Sequence, residues 1–210
     1  MIFQRKGIMI VLSAPSGTGK TFLANKILER DRFISISISA TTRTKRNNEI
    51  NNKHYFFTNK EQFQNDIMNN QFLEYAKIYN EFYGTPKQDV LKKINQGKDV
   101  LFDIDWQGCQ QLYTLAKNDV ISIFLLPPSK AELYKRLYLR NQDDKLAIQR
   151  RMSRVDTEIG YWHHYDYIII NDSVEQSLNQ LLTIIHAERL KKKRQKGFNN
   201  FISQFITQNT

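Results

Sequence analysis

Ala14-Pro15-Ser16-Gly17-Thr18-Gly19-Lys20-Thr21 decides the fold. An apolar run, Ile8 to Leu12, leads into it, and the residues after it place Leu23/Ile27 and Ala24/Ile27/Leu28 at helical spacing. Strand, glycine loop and helix are the parts of a phosphate-binding loop. Gly17 and Gly19 let backbone N–H groups turn toward a polyphosphate, and the new helix adds unpaired N–H groups and a positive dipole end. Lys20 suits β- and γ-phosphates, and the Thr21 hydroxyl suits Mg²⁺. Glycine is usual where Ala14 stands, so the motif is matched everywhere but its first place. A plain Gly/Ser-rich turn is the alternative, and the flanking patterns with the Gly-Lys-Thr triplet outweigh it. The stretch predicts a nucleoside triphosphate site.

Working outward, short apolar runs at Ile8–Leu12, Phe33–Ser39, Val100–Asp105, Val120–Leu126 and Tyr167–Asn171 read as strands. Helical spacing fits 19–30, 60–70, 86–96, 106–117, 129–140, 144–160 and 174–193. This alternation predicts a parallel sheet with helices on both faces. The stretch from Thr41 to Gly84 breaks the pattern: Tyr55-Phe56-Phe57, Phe72 to Ala76 and Ile78 read as short strands around one helix, an inserted α+β unit. A second insertion at 136–155 is rich in arginine (Arg136, Arg140, Arg150, Arg151, Arg154). A core with two appendages suits an enzyme that closes over its substrates.

At 210 residues, one domain is expected. A single cysteine, Cys109, excludes an internal disulfide framework and suits a reducing compartment. The N-terminal apolar run is too short for a signal peptide and enters the glycine loop rather than a cleavage site. No stretch approaches a membrane span, so the reading is a cytoplasmic protein without a membrane partner. The net charge of +10 is uneven: Arg189 to Lys196 holds six basic residues and no acidic one. That cluster reads as a solvated helix end. It would also suit nucleic acid, but no aromatic stacking surface or zinc spacing accompanies it.

Two further stretches carry chemistry. Val100-Leu-Phe-Asp103-Ile-Asp105 is an apolar strand ending in two carboxylates. Beside a phosphate loop, Asp103 is placed to hold Mg²⁺ or its water shell. Helix capping at Trp106 is the plainer use of these aspartates. Ser37 to Arg46 runs a strand into hydroxyls and two arginines, Arg43 and Arg46, whose forks suit phosphate oxygens. By itself that stretch is equally a polar surface loop.

In sequence order, A-P-S-G-T-G-K-T, S-A-T-T-R-T-K-R, F-L-E-Y-A, F-Y-G-T, D-I-D-W-Q-G, I-F-L-L-P-P-S, R-L-Y-L-R and Y-D-Y-I-I-I-N-D resemble guanylate kinases, of the nucleoside monophosphate kinase group, from about residue 8 to 190. The resemblance implies an α/β fold of the P-loop NTPase type. Its core would span about 1–40, 86–128 and 160–190, with a GMP-binding subdomain at about 41–85, a helical lid at about 129–159 and a basic tail at 189–210. It implies Mg²⁺-assisted transfer from ATP to GMP, and to dGMP, in purine nucleotide metabolism. ATP would bind at Ala14 through Thr21. Arg43, Arg46, Tyr55 and Tyr83 would grip the GMP phosphate, and Ser39, Glu74, Thr85 and Asp105 would read guanine. Arg136, Arg140 and Arg151 would reach the ATP phosphates from the lid and, with Lys20 and Arg43, serve catalysis. Thr21 and Asp103 would serve the metal. Lys45, Asn47 and Asn48 depart from the family's R-x-P-R-x-G-E loop, and Phe82 stands where a tyrosine is common. Asparagine tolerates left-handed backbone, so the turn remains available. Oligomeric state stays open between monomer and homo-oligomer.

The chemistry agrees. Guanine offers N1–H and N2–H₂ donors to a carboxylate such as Glu74, whereas adenine presents a bare acceptor at N1. The acceptor phosphate has a second pKa of about 6 and is already largely ionised at neutral pH, so no general base is needed. His54, His163, His164 and His186 show no metal-ligand spacing. Guanylate-kinase-like modules of membrane scaffolds bind phosphopeptides instead, but typically lose the phosphate loop that this chain retains.

Overall fold

The structure, a computed structural model, describes residues 5–78, 80–139 and 145–207. Strand β1 (Met9–Ser13) is buried along its whole length. Ile10 and Leu12 point into one core, Met9 and Val11 into another. Burial on both faces is why this run reads as continuously apolar rather than alternating. The chain continues through α1 (Lys20–Arg30), β2 (Ile34–Ile36), β3 (Ala40–Thr41), β4 (Phe56–Phe57), α2 (Lys60–Met68), β5 (Phe72–Ile78), β6 (Glu81–Pro86) and α3 (Lys87–Asn95). It then forms β7 (Asp99–Asp103), α4 (Trp106–Ala116), β8 (Val120–Leu126), α5 (Lys130–Leu139), α6 (Lys145–Gly160), β9 (Tyr167–Ile170), α7 (Val174–Leu190) and α8 (Phe198–Thr207).

The main sheet has the order β2-β7-β1-β8-β9, with every pairing parallel. On one face α1 and α7 bury Leu23, Ile27, Leu181 and Ile185; on the other α3 and α4 bury Val90, Ile94, Cys109 and Leu112. Register sets the site: Leu12 pairs with Asp103, so the carboxylate end of β7 lies beside the start of the glycine loop. The Ser13 hydroxyl donates to the Ile104 carbonyl at 2.8 Å and ties the two strand ends together.

A second sheet, β4-β3-β6-β5, carries its own core, in which Phe63 stacks on Phe72 and Phe82 at centroid distances of 4.6 and 5.4 Å. Two features differ from the sequence reading. The strand expected over Phe33–Ser39 ends at Ile36, and the chain crosses through Ser37–Ser39 to give Ala40–Thr41 to the second sheet. Glu81–Pro86 is a full strand paired antiparallel with β5, although Gly84 and Pro86 mask its pattern. Leu133 and Leu137 of α5 bury against Ile148 and Val155 of α6, forming the arginine-rich helical pair.

The C-terminal cluster is less solvated than its composition suggests. The fully buried Asp99 carboxylate receives Arg5 at 2.5 and 2.9 Å, Arg189 Nε at 2.7 Å and the Ile8 N–H at 2.9 Å. Arg189 also donates to Asp31 at 2.6 Å, and buried Arg194 lies 3.4 Å from the buried Glu188 carboxylate. These residues pin the end of α7 to the start of β7 and to Asp31, which follows α1. Asp99→Ala would leave two guanidinium groups without their shared anion, and the expected cost is about 3–5 kcal/mol of unfolding free energy. Urea unfolding measures it, and a loss below about 1 kcal/mol would mark the network as no stronger than a surface pair. Beyond it, α8 was not anticipated; Ile202, Phe205 and Ile206 on it are exposed. No helix among the described residues is long and apolar enough to cross a membrane.

Candidate active site

The glycine loop connects β1 to α1. Gly17 and Gly19 adopt φ of 95° and 100°, a left-handed backbone that a side chain would strain. Space is short as well: a Cβ on Gly17 would lie 2.7 Å from Leu137 Cδ2, and one on Gly19 2.9 Å from Asn171 Nδ2, so those side chains would have to move. Gly19 caps α1 with no side-chain bond to its first turn, so those N–H groups stay directed at the loop's interior. Lys20 Nζ sits 2.5 Å from Asp103 Oδ1, and both side chains keep partial exposure. Thr21 is exposed beside them. A cleft of about 870 Å³ opens over the loop, bounded by Asp103, Asp105, Trp106, Arg136, Arg154 and Glu158.

The two arginine-bearing helices reach the same loop. From α5, Arg136 is held by Glu132 at 2.9 Å and donates to the Asn171 carbonyl at 3.0 Å and the Thr18 carbonyl at 3.4 Å. From α6, Arg151 donates to the Ser16 hydroxyl at 2.7 Å. About two turns further along the same face of α6, Glu158 accepts from the Ser16 N–H. Burial raises the Glu158 carboxyl above its ordinary range, against the pull of that N–H, Lys20 and Arg154. Asn171 closes the loop from β9, its amide donating to the Thr18 carbonyl at 2.7 Å. Thr18 Oγ1 and Asn171 Oδ1 are buried with no hydrogen-bond partner among the described residues, a cost native folds rarely carry away from functional sites.

A second constellation comes from β3, β5, β6 and the start of α4. Glu74 is 4% exposed, and Thr85 donates its hydroxyl to Glu74 Oε1 at 2.6 Å. Ser39 Oγ lies 3.4 Å from Thr85 Oγ1. Burial pushes the Glu74 carboxyl up to about 7, with the Asp105 charge adding to the rise and the Thr85 hydroxyl opposing it. Asp105 itself caps α4, accepting from Gln107 N at 3.0 Å and Gly108 N at 3.2 Å. The plainer reading of that aspartate is therefore realised, with its second oxygen engaged by the Gln107 amide at 3.1 Å.

Beside these groups Arg43 lies over the rings of Tyr55 and Phe57, and Tyr55 meets Tyr83 edge to face. Arg43 is bound at 2.6 Å by Glu49, which also accepts from the Arg46 N–H at 2.8 Å. The hydrogen bond from Arg43 holds the Glu49 carboxyl down at about 2. The Arg46 side chain is exposed.

A family model described as guanylate kinase matches residues 6–188. The guanylate kinase of Rhizobium meliloti (strain 1021) is 43% identical over 205 residues, covering 98% of this chain and 94% of its own. That of Sphingopyxis alaskensis is 45% identical over 203 residues, covering 97% and 92%. The crystal structure of guanylate kinase from Anaplasma phagocytophilum superposes with a TM-score of 0.80 at 33% identity, covering 96% of each chain.

The chain belongs to the guanylate kinase family.

Within this guanylate kinase fold, the residues singled out in the sequence fall into three groups. Lys20, Thr21, Asp103, Arg136 and Arg151 gather at the glycine loop, and Ser39, Glu74, Thr85 and Asp105 gather at the junction of β5 with α4. Arg43, Tyr55 and Tyr83 form a third contact set, with Arg46 at its edge. Arg140 lies outside the described residues. Four participants escaped the sequence reading: Glu49, Gly108, Glu158 and Asn171. Glu49 closes the arginine-loop pattern, Gly108 ends D-I-D-W-Q-G and Asn171 stands in Y-D-Y-I-I-I-N-D, so three were inside quoted motifs. Nothing in the local pattern marks Glu158.

Proposed function

We infer that this chain transfers the γ-phosphoryl group of ATP to GMP, and to dGMP, giving ADP and GDP or dGDP. The observation that carries the acceptor assignment is Glu74: a buried carboxylate with a hydroxyl on one oxygen and no ion pair to a cation among the described residues. A site built that way favours a ligand with adjacent N–H donors, as guanine has, and leaves adenine facing an unpaired acceptor. The glycine loop and the α1 N-terminus would receive the donor's phosphates.

The chain's own residues do the rest. Lys20 would leave Asp103 for the donor phosphates, and Arg136 and Arg151 would offset the charge that spreads over the transferring oxygens. Arg43, stiffened by its aromatic neighbours, would hold the acceptor phosphate, with Glu49 exchanging out as the anion arrives. Thr21 and Asp103 are the oxygen donors suited to Mg²⁺. No three His, Cys, Asp or Glu side chains among the described residues converge on one point, which fits an ion bound chiefly by phosphates and water. When bound, that ion supplies charge neutralisation between donor phosphates. A GMP-binding unit at about 41–85 and a lid at about 129–159 would close over the pair and exclude water.

ADP release from ATP and Mg²⁺, measured in parallel with GMP, dGMP, AMP, CMP and UMP, tests the assignment. Turnover confined to GMP and dGMP is the expected result. Comparable turnover with AMP, or none with any acceptor from a folded ATP-binding protein, would overturn it.

A further inference from the structure

Gly108 occupies the first turn of α4, where glycine is the poorest choice short of proline for helix formation. Its backbone φ is outside the left-handed region, so conformation does not demand glycine there. Its N–H donates to Asp105, a bond that any residue but proline would make equally well. What does demand glycine is the neighbouring side chain on β5, which packs directly against α4. A Cβ at this position would lie 2.5 Å from Glu74 Oε2, closer than real Cβ contacts come, and a tight 3.1 Å from both Glu74 Cδ and Ile104 Cδ1. The other Glu74 oxygen is fixed by Thr85, and the Gln111 side-chain amide locks α4 against β5, accepting from the Tyr75 N–H at 3.0 Å and donating to the Tyr75 carbonyl at 2.7 Å.

We propose that Gly108 is a specificity-determining position: its missing side chain is the space in which the Glu74 carboxylate stands to meet the acceptor base. The inference rests on Glu74 being the guanine reader. Alanine at 108 would keep the helix and its cap and would push the far end of the Glu74 side chain aside. Glu74 can swing, so the fold survives; what is lost is the placement of the two carboxylate oxygens. A misplacement of about 1 Å at a reacting or reading group can cost about 10²-fold.

The test compares Gly108→Ala, Glu74→Gln, and Gly108→Ala combined with Glu74→Asp, whose shorter side chain withdraws the carboxylate from the added methyl. Each is read by thermal melting and by kcat/KM for GMP and KM for ATP. The expected result is that Gly108→Ala melts at or above the parent temperature, keeps KM for ATP, and loses about 10²-fold in kcat/KM for GMP. Adding Glu74→Asp then recovers part of that loss. Parent-like GMP kinetics in Gly108→Ala, while Glu74→Gln is impaired, would overturn the role of Gly108 and leave the guanine assignment standing. Undiminished GMP turnover in Glu74→Gln would overturn the assignment itself. A melting temperature well below the parent's, with no recovery in the double variant, would make Gly108 a packing position and also overturn the inference.

Discussion

Arg136→Ala is expected to lower kcat by about 10³-fold or more, the range in which a single charge-offsetting arginine acts in phosphoryl transfer. Placement makes this arginine the strongest candidate among the described cations of the helical pair. Its guanidinium is gripped from three sides, by Glu132, the Asn171 carbonyl and the Thr18 carbonyl, so it stands at the loop before any ligand arrives. A preorganised charge costs little reorganisation when the transition state forms. Removing it strips the Asn171 carbonyl of a donor, so a moderate fall in melting temperature accompanies the kinetic loss. Arg136→Lys separates the two effects, since lysine keeps the charge but not the planar fork. Steady-state kinetics on both variants, with KM for GMP as the internal control, make the check. A kcat within threefold of the parent in Arg136→Ala would assign Arg136 to holding the loop rather than to the reaction.

How much of this was legible beforehand follows from where each signal resides. The main sheet was open to reading because its strands are buried on both faces, and each helix shows an apolar stripe at its own period. The glycine loop was legible because φ near 100° at Gly19 admits almost nothing but glycine. The second sheet was only partly so. Its strands β3 and β4 are two residues long, and β6 contains both Gly84 and Pro86, so their pairing depends on partners distant in sequence. The site divides in the same way. Lys20, Thr21 and Asp103 follow from motif and register, whereas Glu158 meets Ser16 only because α6 folds back over the loop. Its identity as a contact residue is a tertiary fact. Arg189 and Arg194 show the opposite failure: six basic residues in eight suggest a solvated end, yet these two pair with Asp99, Asp31 and Glu188, which lie elsewhere in the chain or just before the cluster. Charge runs carry no record of which members find buried partners.

Glu74→Gln is expected to abolish most discrimination between GMP and AMP, with a change in the ratio of kcat/KM of up to about 10⁴-fold, the scale of sites that hydrogen-bond a substrate's own donors. It should also remove a pH dependence. Burial first, and the Asp105 charge second, push the Glu74 carboxyl up to about 7 in the ligand-free protein, so near neutrality a large share carries a proton. Raised above the unfolded value of 4.5, this group favours the fold most at low pH, and that contribution is lost as pH rises through about 7. GMP binding runs the other way. The base's N1–H and N2–H₂ need an ionised acceptor, so binding pulls the carboxyl down and expels a proton whenever the free protein holds one. GMP affinity therefore falls as pH drops below about 7, by at most about tenfold per unit from this group. The GMP phosphate titrates at about 6 and adds its own slope in parent and variant alike, so their difference isolates Glu74. Calorimetric titration of GMP from pH 6 to 8.5 in two buffers of different ionisation enthalpy reads both the affinity and the proton. Equal slopes for parent and Glu74→Gln, with no extra proton released by the parent near pH 6.5, would mean that Glu74 is already ionised or does not touch the base.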